Sequence, residues 1–192
     1  MTKLSLYLKL LENEGIEAKE HGQLFKHSDF TLLPSLENNI KCGNSLIGTD
    51  FYSQLSLDLT DDDRIKVNCF DWEKDGFPVV FESGGFDVVI GNPPYGAGFI
   101  QQEREYLHYN FKIPNYQYDS YLFFIEKNIQ LLKQNGQLGL IIPNTWLLNL
   151  TANELRKYLF SNIQIEKIVH YVNKVFKDAV VDTEIIIFKN SS

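Results

Sequence analysis

The stretch GGFDVVIGNPPYGAG, Gly84 to Gly98, decides how the rest of the chain is read. Phe86 to Gly91 is a short, glycine-bounded apolar run rich in β-branched residues. That pattern predicts a strand buried on both faces, as in a parallel sheet. Asn92-Pro93-Pro94-Tyr95 follows at once. Pro93 has no N–H and a fixed φ, and Pro94 holds Pro93 extended, so the four residues form a stiff turn. The Asn92 side-chain carbonyl and a main-chain carbonyl can then converge on one point, which suits the two hydrogens of a planar –NH2 group. Tyr95 adds a flat ring on which a base can stack, an interaction of about 1–3 kcal/mol.

The chemistry follows from the amine. An aryl amine is a poor nucleophile because its lone pair is delocalised into the ring. Two acceptors that take both hydrogens favour a pyramidal nitrogen and localise that pair. No strong base is needed before attack, and rigid placement beside an electrophile supplies much of the rest. On the tetrapeptide alone, a plain strand-ending turn and a polyproline ligand for a partner domain stay open as alternatives.

Downstream, Ala97 to Ser120 reads as a long irregular segment rich in Tyr, Phe, Gln and Asn. A helix follows with Leu122, Ile125, Ile129 and Leu132 on one face, and Asn135-Gly136 reads as its C-terminal cap. QLGLIIPNTWLL is a second buried strand stopped by Pro143-Asn144. Thr151 and Glu154 have the spacing of a capping box for the next helix. Two strands close the chain, near IEKIVHYV and TEIIIF, and their short connection predicts antiparallel pairing.

Upstream, Leu4, Leu8 and Leu11 predict an amphipathic helix ending near Gly15. NIKCGNSLIG reads as a short strand ending in a turn, and Phe70 to Gly85 as a connector. Asp58, Asp61, Asp62 and Asp63 read as a solvated loop or a helix start favoured by acids. They are not a metal site, and His21, His27, His108 and His170 lack ligand spacing, so no metal is expected. Helices alternating with strands predict an α/β fold with a mainly parallel sheet and a C-terminal antiparallel strand. Catalytic groups in such sheets sit at the carboxyl ends of strands, which puts Asn44, Asn92, Asn144 and the Trp146 region along one edge.

The 192 residues suffice for one ordinary domain. Two cysteines, Cys42 and Cys69, suggest no disulfide framework and fit a reducing cytoplasm. No stretch is long and apolar enough to suggest a membrane span. A net charge of −7 argues against coating nucleic acid with the whole surface, but not against gripping it locally.

FDVVIGNPPYG closely resembles the catalytic motif of amino-group DNA methyltransferases, the adenine-modifying kind. NIKCGNSLIG, YDSYLFFIEKNIQLLKQNGQLGLIIPNTWLL and VFKDAVVDTEIIIF are similar to successive blocks of the gamma-type enzymes. These include the single-chain restriction–modification enzymes and related phage-defence methylases. The resemblance runs from about residue 36 to the end and implies a Rossmann-like fold that uses S-adenosylmethionine. It implies that Asn92 and the carbonyl of Pro93 hold the amine of an adenine flipped out of DNA. Tyr95 would stack on that base and Phe176 would cover its other face. Asn44, Ser45 and Pro94 would line the cofactor's adenine pocket, with Asn44 accepting through its carbonyl where many members carry Asp. The nearest alternatives are a turn after a strand for Asn44 and Ser45, and a core aromatic for Phe176.

Such enzymes also need a glycine-rich turn after the first strand for the cofactor's methionine part. Residues 1–40 contain no GxG, and Gly96-Ala97-Gly98 lies on the wrong side of the motif. The chain is therefore expected to be the C-terminal part of a catalytic domain, without its opening strand–helix–strand unit and without a recognition domain. Alone, it is expected to bind the cofactor weakly and to be inactive. A methylase of a protein glutamine amide or of RNA, and a non-catalytic remnant acting as a binding module, are the competing readings.

Overall fold

A computed structural model describes residues 5, 6, 9, 36–54, 60–112, 119–171 and 182–191. The chain divides into two compact units, Met1–Cys42 and Gly43–Ser192. In the first, Ser5, Leu6 and Lys9 are helical, and a turn at Glu37–Asn39 closes with Ile40 N–H donating to Leu36 O at 2.8 Å. Leu4, Leu8 and Leu11 lie outside the described residues, as does Phe176.

The second unit contains α1 (Phe51–Gln54), α2 (Asp61–Val67), a π-helical turn (Trp72–Gly76) and α3 (Pro78–Glu82). These precede β1 (Phe86–Gly91), α4 (Gln101–Asn110) and α5 (Ser120–Leu131). Then come β2 (Leu132–Pro143), α6 (Thr145–Leu148), a 3-10 turn (Leu150–Ala152), α7 (Asn153–Asn162), β3 (Ile163–His170) and β4 (Thr183–Asn190). The strands form one sheet in the order β1-β2-β4-β3. β1 and β2 run parallel, while β2 and β4, and β3 and β4, run antiparallel. The final strands pair as their short connection predicts, and the described sheet is mixed.

Two apolar clusters share α5. Tyr121, Leu122, Ile125 and Ile129 face the sheet, against Leu138, Leu140, Ile142, Ile186 and Phe188 and against Leu155 and Leu159 of α7. Phe123 joins the other cluster, with Leu46, Ile47, Phe51, Val67, Tyr106 and Leu107. Removing each such side chain from water contributes about 1.5–3 kcal/mol. This double burial fixes α5 between the sheet and the Leu46–Val67 region.

Several local expectations change. Asp61, Asp62 and Asp63 do start a helix: Thr60 and Asp63 cap α2 reciprocally, with Thr60 N donating to Asp63 Oδ2 at 3.2 Å. The region around Asn44 forms no strand; its pairing is an isolated bridge from Asn44 to Cys69. The supposed connector after Asp71 is the π-helical turn and α3, with Asp71 accepting from Glu73 and Lys74 N–H. The segment after Ala97 contains α4, started by Glu103 accepting from Ile100 N at 3.0 Å. α7 begins at Asn153 with Ala152 at its N-cap, one residue past the expected Thr151.

Asn135-Gly136 is not a helix cap. α5 stops at Leu131, and Asn135 at φ +64° sits in an irregularity of β2, where Phe86 pairs with Leu132 but Val88 with Gln137. Leu132 therefore belongs to the strand. Gly85, at φ +118°, passes so close to β2 that a Cβ would lie 2.7 Å from Leu131 O. Only glycine fits that crossing, which lets β1 start beside β2.

β1 is not buried on both faces. Val89 packs on the α5 side, but Val88 is 51% exposed and Ile90 83% exposed. Among the described residues β1 is also the sheet edge, and no further strand pairs with it there.

Candidate active site

The motif lies where the sequence puts it, at the carboxyl end of β1. Pro93 is buried, Asn92 and Pro94 are exposed, and Tyr95 is half-buried. Five contacts hold the turn. The Tyr95 hydroxyl lies 2.9 Å from Asn92 Oδ1 and 3.0 Å from the carbonyl oxygen of Ile141 on β2. Ser120, the first residue of α5 and 1% exposed, donates its hydroxyl to Pro94 O at 2.6 Å and accepts from Ala97 N at 3.2 Å. Asp119 Oδ1 accepts from Gly96 N at 3.1 Å.

A hydroxyl has one proton, so Tyr95 donates to Asn92 or to Ile141, not to both. The carbonyl of Pro93 has no donor among the described residues. One of the two expected acceptors is thus open, and the other shares its lone pairs with Tyr95. The ring of Tyr95 stands edge-on to Tyr121 at 6.4 Å and 88°. Burial pushes the Tyr95 hydroxyl above its usual range and the Tyr121 hydroxyl up to about 12. Both therefore stay neutral donors at physiological pH.

Asn44 and Ser45 are the second set of candidate residues. Asn44 Oδ1 accepts from Leu46 N at 3.1 Å, so its carbonyl is engaged in the loop's own turn. One lone pair and the amide N–H2 remain for a ligand. The Ser45 carbonyl accepts from Trp72 Nε1 at 3.1 Å, and Trp72 sits among Phe70, Phe77 and Phe86. No hydrogen bond among the described residues joins Asn44 or Ser45 to Asn92–Tyr95. The common bracket is α5: its first residue ties down Pro94, and one turn later Phe123 packs in the cluster containing Leu46 and Ile47. The chemistry of this set suits the adenine end of a nucleoside cofactor: amide donors at Asn44, an exposed proline face at Pro94, and no fixed charge on either.

Sequence reasoning missed Ser120, Tyr121 and Glu184. Ser120 follows Asp119 in YDSYLFF, a helix start that gives no sign of reaching 26 residues back. Glu184 reads as a polar break in an apolar strand, yet it is 1% exposed and accepts from the indole N–H of Trp146. A cavity of about 580 Å³ opens toward the other end of α5, lined by Asp50, Trp72, Glu73, Tyr106, Lys127 and Gln130 among others. It contains none of the motif residues. Among the described residues, no three His, Cys, Asp or Glu side chains gather as a metal site requires, and no helix is long and apolar enough to cross a membrane.

A family model described as Eco57I restriction-modification methylase matches residues 1–176. The chain is 33% identical over 180 residues to the type II restriction enzyme and methyltransferase RM.Eco57I of Escherichia coli, covering 90% of this chain and 16% of that protein. It is 30% identical over 123 residues to the type II methyltransferase M.TthHB8I of Thermus thermophilus, covering 58% of this chain and 28% of that one. The chain thus spans less than a third of either relative. Among solved structures, a Vibrio vulnificus protein assigned as a modification subunit of a type I restriction enzyme shares the fold. Its TM-score is 0.50 at 20% identity, over 57% of this chain and 24% of that one.

Proposed function

The chain belongs to the Eco57I restriction-modification methylase family, and from that premise we propose that it carries the base-holding part of a DNA methyltransferase acting on the N6 amine of adenine. The observation that carries this reading is the rigid turn after β1, with the Pro93 carbonyl open and Asn92 Oδ1 adjacent to Tyr95. S-adenosylmethionine, when bound, supplies an electrophilic methyl group. Asn44 and Ser45, with Pro94, would hold its adenine end.

The chain's own residues act on the target amine. Pro93 O accepts one N–H. Asn92 Oδ1 accepts the other once the Tyr95 proton turns to Ile141 O, a rotation that leaves the ring in place. The nitrogen lone pair is then localised, and its surplus proton departs after transfer. Tyr95 offers a ring face to the base, and Tyr121 limits its tilt. By the family resemblance, Phe176 would cover the opposite face. No observation favours a protein amide, an RNA or a non-catalytic role over duplex DNA.

The same reading makes this chain the C-terminal part of a catalytic domain that works in the cytoplasm. What supports the domain reading is that, among the described residues, β1 is the sheet edge with Val88 and Ile90 exposed. A parallel strand carrying a glycine-rich turn fits that edge, and a separate recognition region supplies the DNA contacts. The test is Asn92→Ala in the full-length protein: methyl transfer to duplex DNA falls by at least about 100-fold, as for loss of a preorganised polar partner. Unchanged transfer overturns the reading.

A further inference from the structure

Glu184 is the first inward-facing side chain of β4. It pairs across the sheet with Ile142 of β2 and His170 of β3, and shares its side with Ile186 and Phe188. It is 1% exposed, on the side of β4 that also buries Ile186 and Phe188. Its Oε1 accepts from Trp146 Nε1, and among the described residues it has no other hydrogen-bond partner. Trp146 is fully buried and stands edge-on to Phe188 at 6.3 Å.

Trp146 belongs to the rim that follows β2. That rim is tied at its start by Asn144 N donating to Asp182 O at 2.9 Å. It is tied at its end by Arg156 Nη1 donating to Trp146 O at 2.7 Å and Asn149 O at 2.8 Å. Between those ties, the Trp146 contact with Glu184 and the Thr145 contact with Tyr121 reach into the core. The neighbouring Thr145 hydroxyl meets the Tyr121 hydroxyl at 3.3 Å, and Tyr121 backs the ring of Tyr95.

We propose that Glu184 is a positioning residue for the candidate active site: its carboxyl, through the Trp146 indole, fixes the Thr145–Leu148 helix and thereby the Thr145–Tyr121 contact behind Tyr95. The inference rests on the function proposed above. An acceptor is what the position requires, and a carboxyl supplies one at some expense. Burial holds it above the usual carboxylate range, opposed by the indole N–H and by His170. The polar groups that act on it are the Trp146 indole of α6, Tyr121 of α5 and His170 of β3.

Two variants of the full-length protein separate an acceptor from a mere filler: Glu184→Gln keeps a carbonyl for the indole, and Glu184→Leu keeps the volume without one. The readouts are peptide-resolved hydrogen exchange and the steady-state constants for methyl transfer. In Glu184→Leu the Thr145–Asn149 amides exchange about tenfold faster, as one buried unsatisfied donor implies. Its kcat falls about tenfold with KM for DNA unchanged, while the Leu138–Ile142 amides keep their protection. Glu184→Gln restores both readouts to within about threefold, the scale of a retained hydrogen bond. Unchanged exchange in Glu184→Leu, loosening of Leu138–Ile142 as well, or a Gln variant as damaged as the Leu variant each overturns the inference. If the wild-type protein transfers no methyl group, the function proposed above fails, and the exchange comparison still decides whether Glu184 anchors the rim.

Discussion

The Tyr95 hydroxyl lies within hydrogen-bonding distance of two acceptors at once, Asn92 Oδ1 at 2.9 Å and Ile141 O at 3.0 Å. The ring expected to stack on a base is therefore also a latch on the amide expected to hold that base's amine. Removing the hydroxyl frees Asn92 and leaves the ring against Tyr121. Tyr95→Phe in the full-length protein keeps kcat within about threefold, the effect of one modest hydrogen bond. Tyr95→Ala loses about 10- to 100-fold, the stacking energy of one base. Steady-state methylation of duplex DNA measures both, and equal losses would count against stacking.

Ser120 holds the far side of the same turn. Its hydroxyl donates to Pro94 O and accepts from Ala97 N, while 1% exposed. Ser120→Ala leaves both backbone groups without that partner and lowers stability by about 1–3 kcal/mol. Urea unfolding of the full-length protein gives the value, and an unchanged midpoint would show that the hydroxyl is dispensable.

Glu184 sets a pH dependence whose sign is fixed. Its folded value lies above its ordinary value of 4.5. Below 4.5 the carboxyl is neutral in both the folded and unfolded states and carries no charge-burial penalty. As pH rises from there through the folded value, the unfolded chain ionises more readily and this share of stability is lost. Glu184→Gln does not titrate, so its stability relative to wild type improves across that window and then levels off. Urea midpoints at stepped pH measure the difference, and a flat one would contradict the assignment.

Much of the fold was legible because periodicity reports burial. FDVVIG and QLGLIIP became β1 and β2, and Leu122, Ile125 and Ile129 do face the sheet. The misreadings share a cause: local sequence does not reveal what lies across space. Val88 and Ile90 look like core residues and are exposed on the face of β1 opposite Val89. Asn135-Gly136 has the chemistry of a helix cap, but the left-handed residue serves a strand irregularity opposite Phe86. Around the motif, the Asn92–Tyr95 turn was readable, whereas Ser120 and Ile141 bond to it from 26 and 46 residues away.

The bare face of β1 gives a further test. If another element covers it in the full-length protein, Ile90→Lys buries a charge there and costs at least about 2 kcal/mol. If that face is free surface, the substitution changes stability by less than about 0.5 kcal/mol. Comparative urea unfolding of the two full-length proteins separates these outcomes.

The most direct test of the central claim is the product itself. Full-length protein is incubated with duplex DNA and S-adenosylmethionine labelled in its methyl group, and the digested nucleosides are resolved by mass spectrometry. The account predicts label in N6-methyladenine with wild-type protein and none with Asn92→Ala. Label confined to N4-methylcytosine, or equal N6-methyladenine from both proteins, would contradict it.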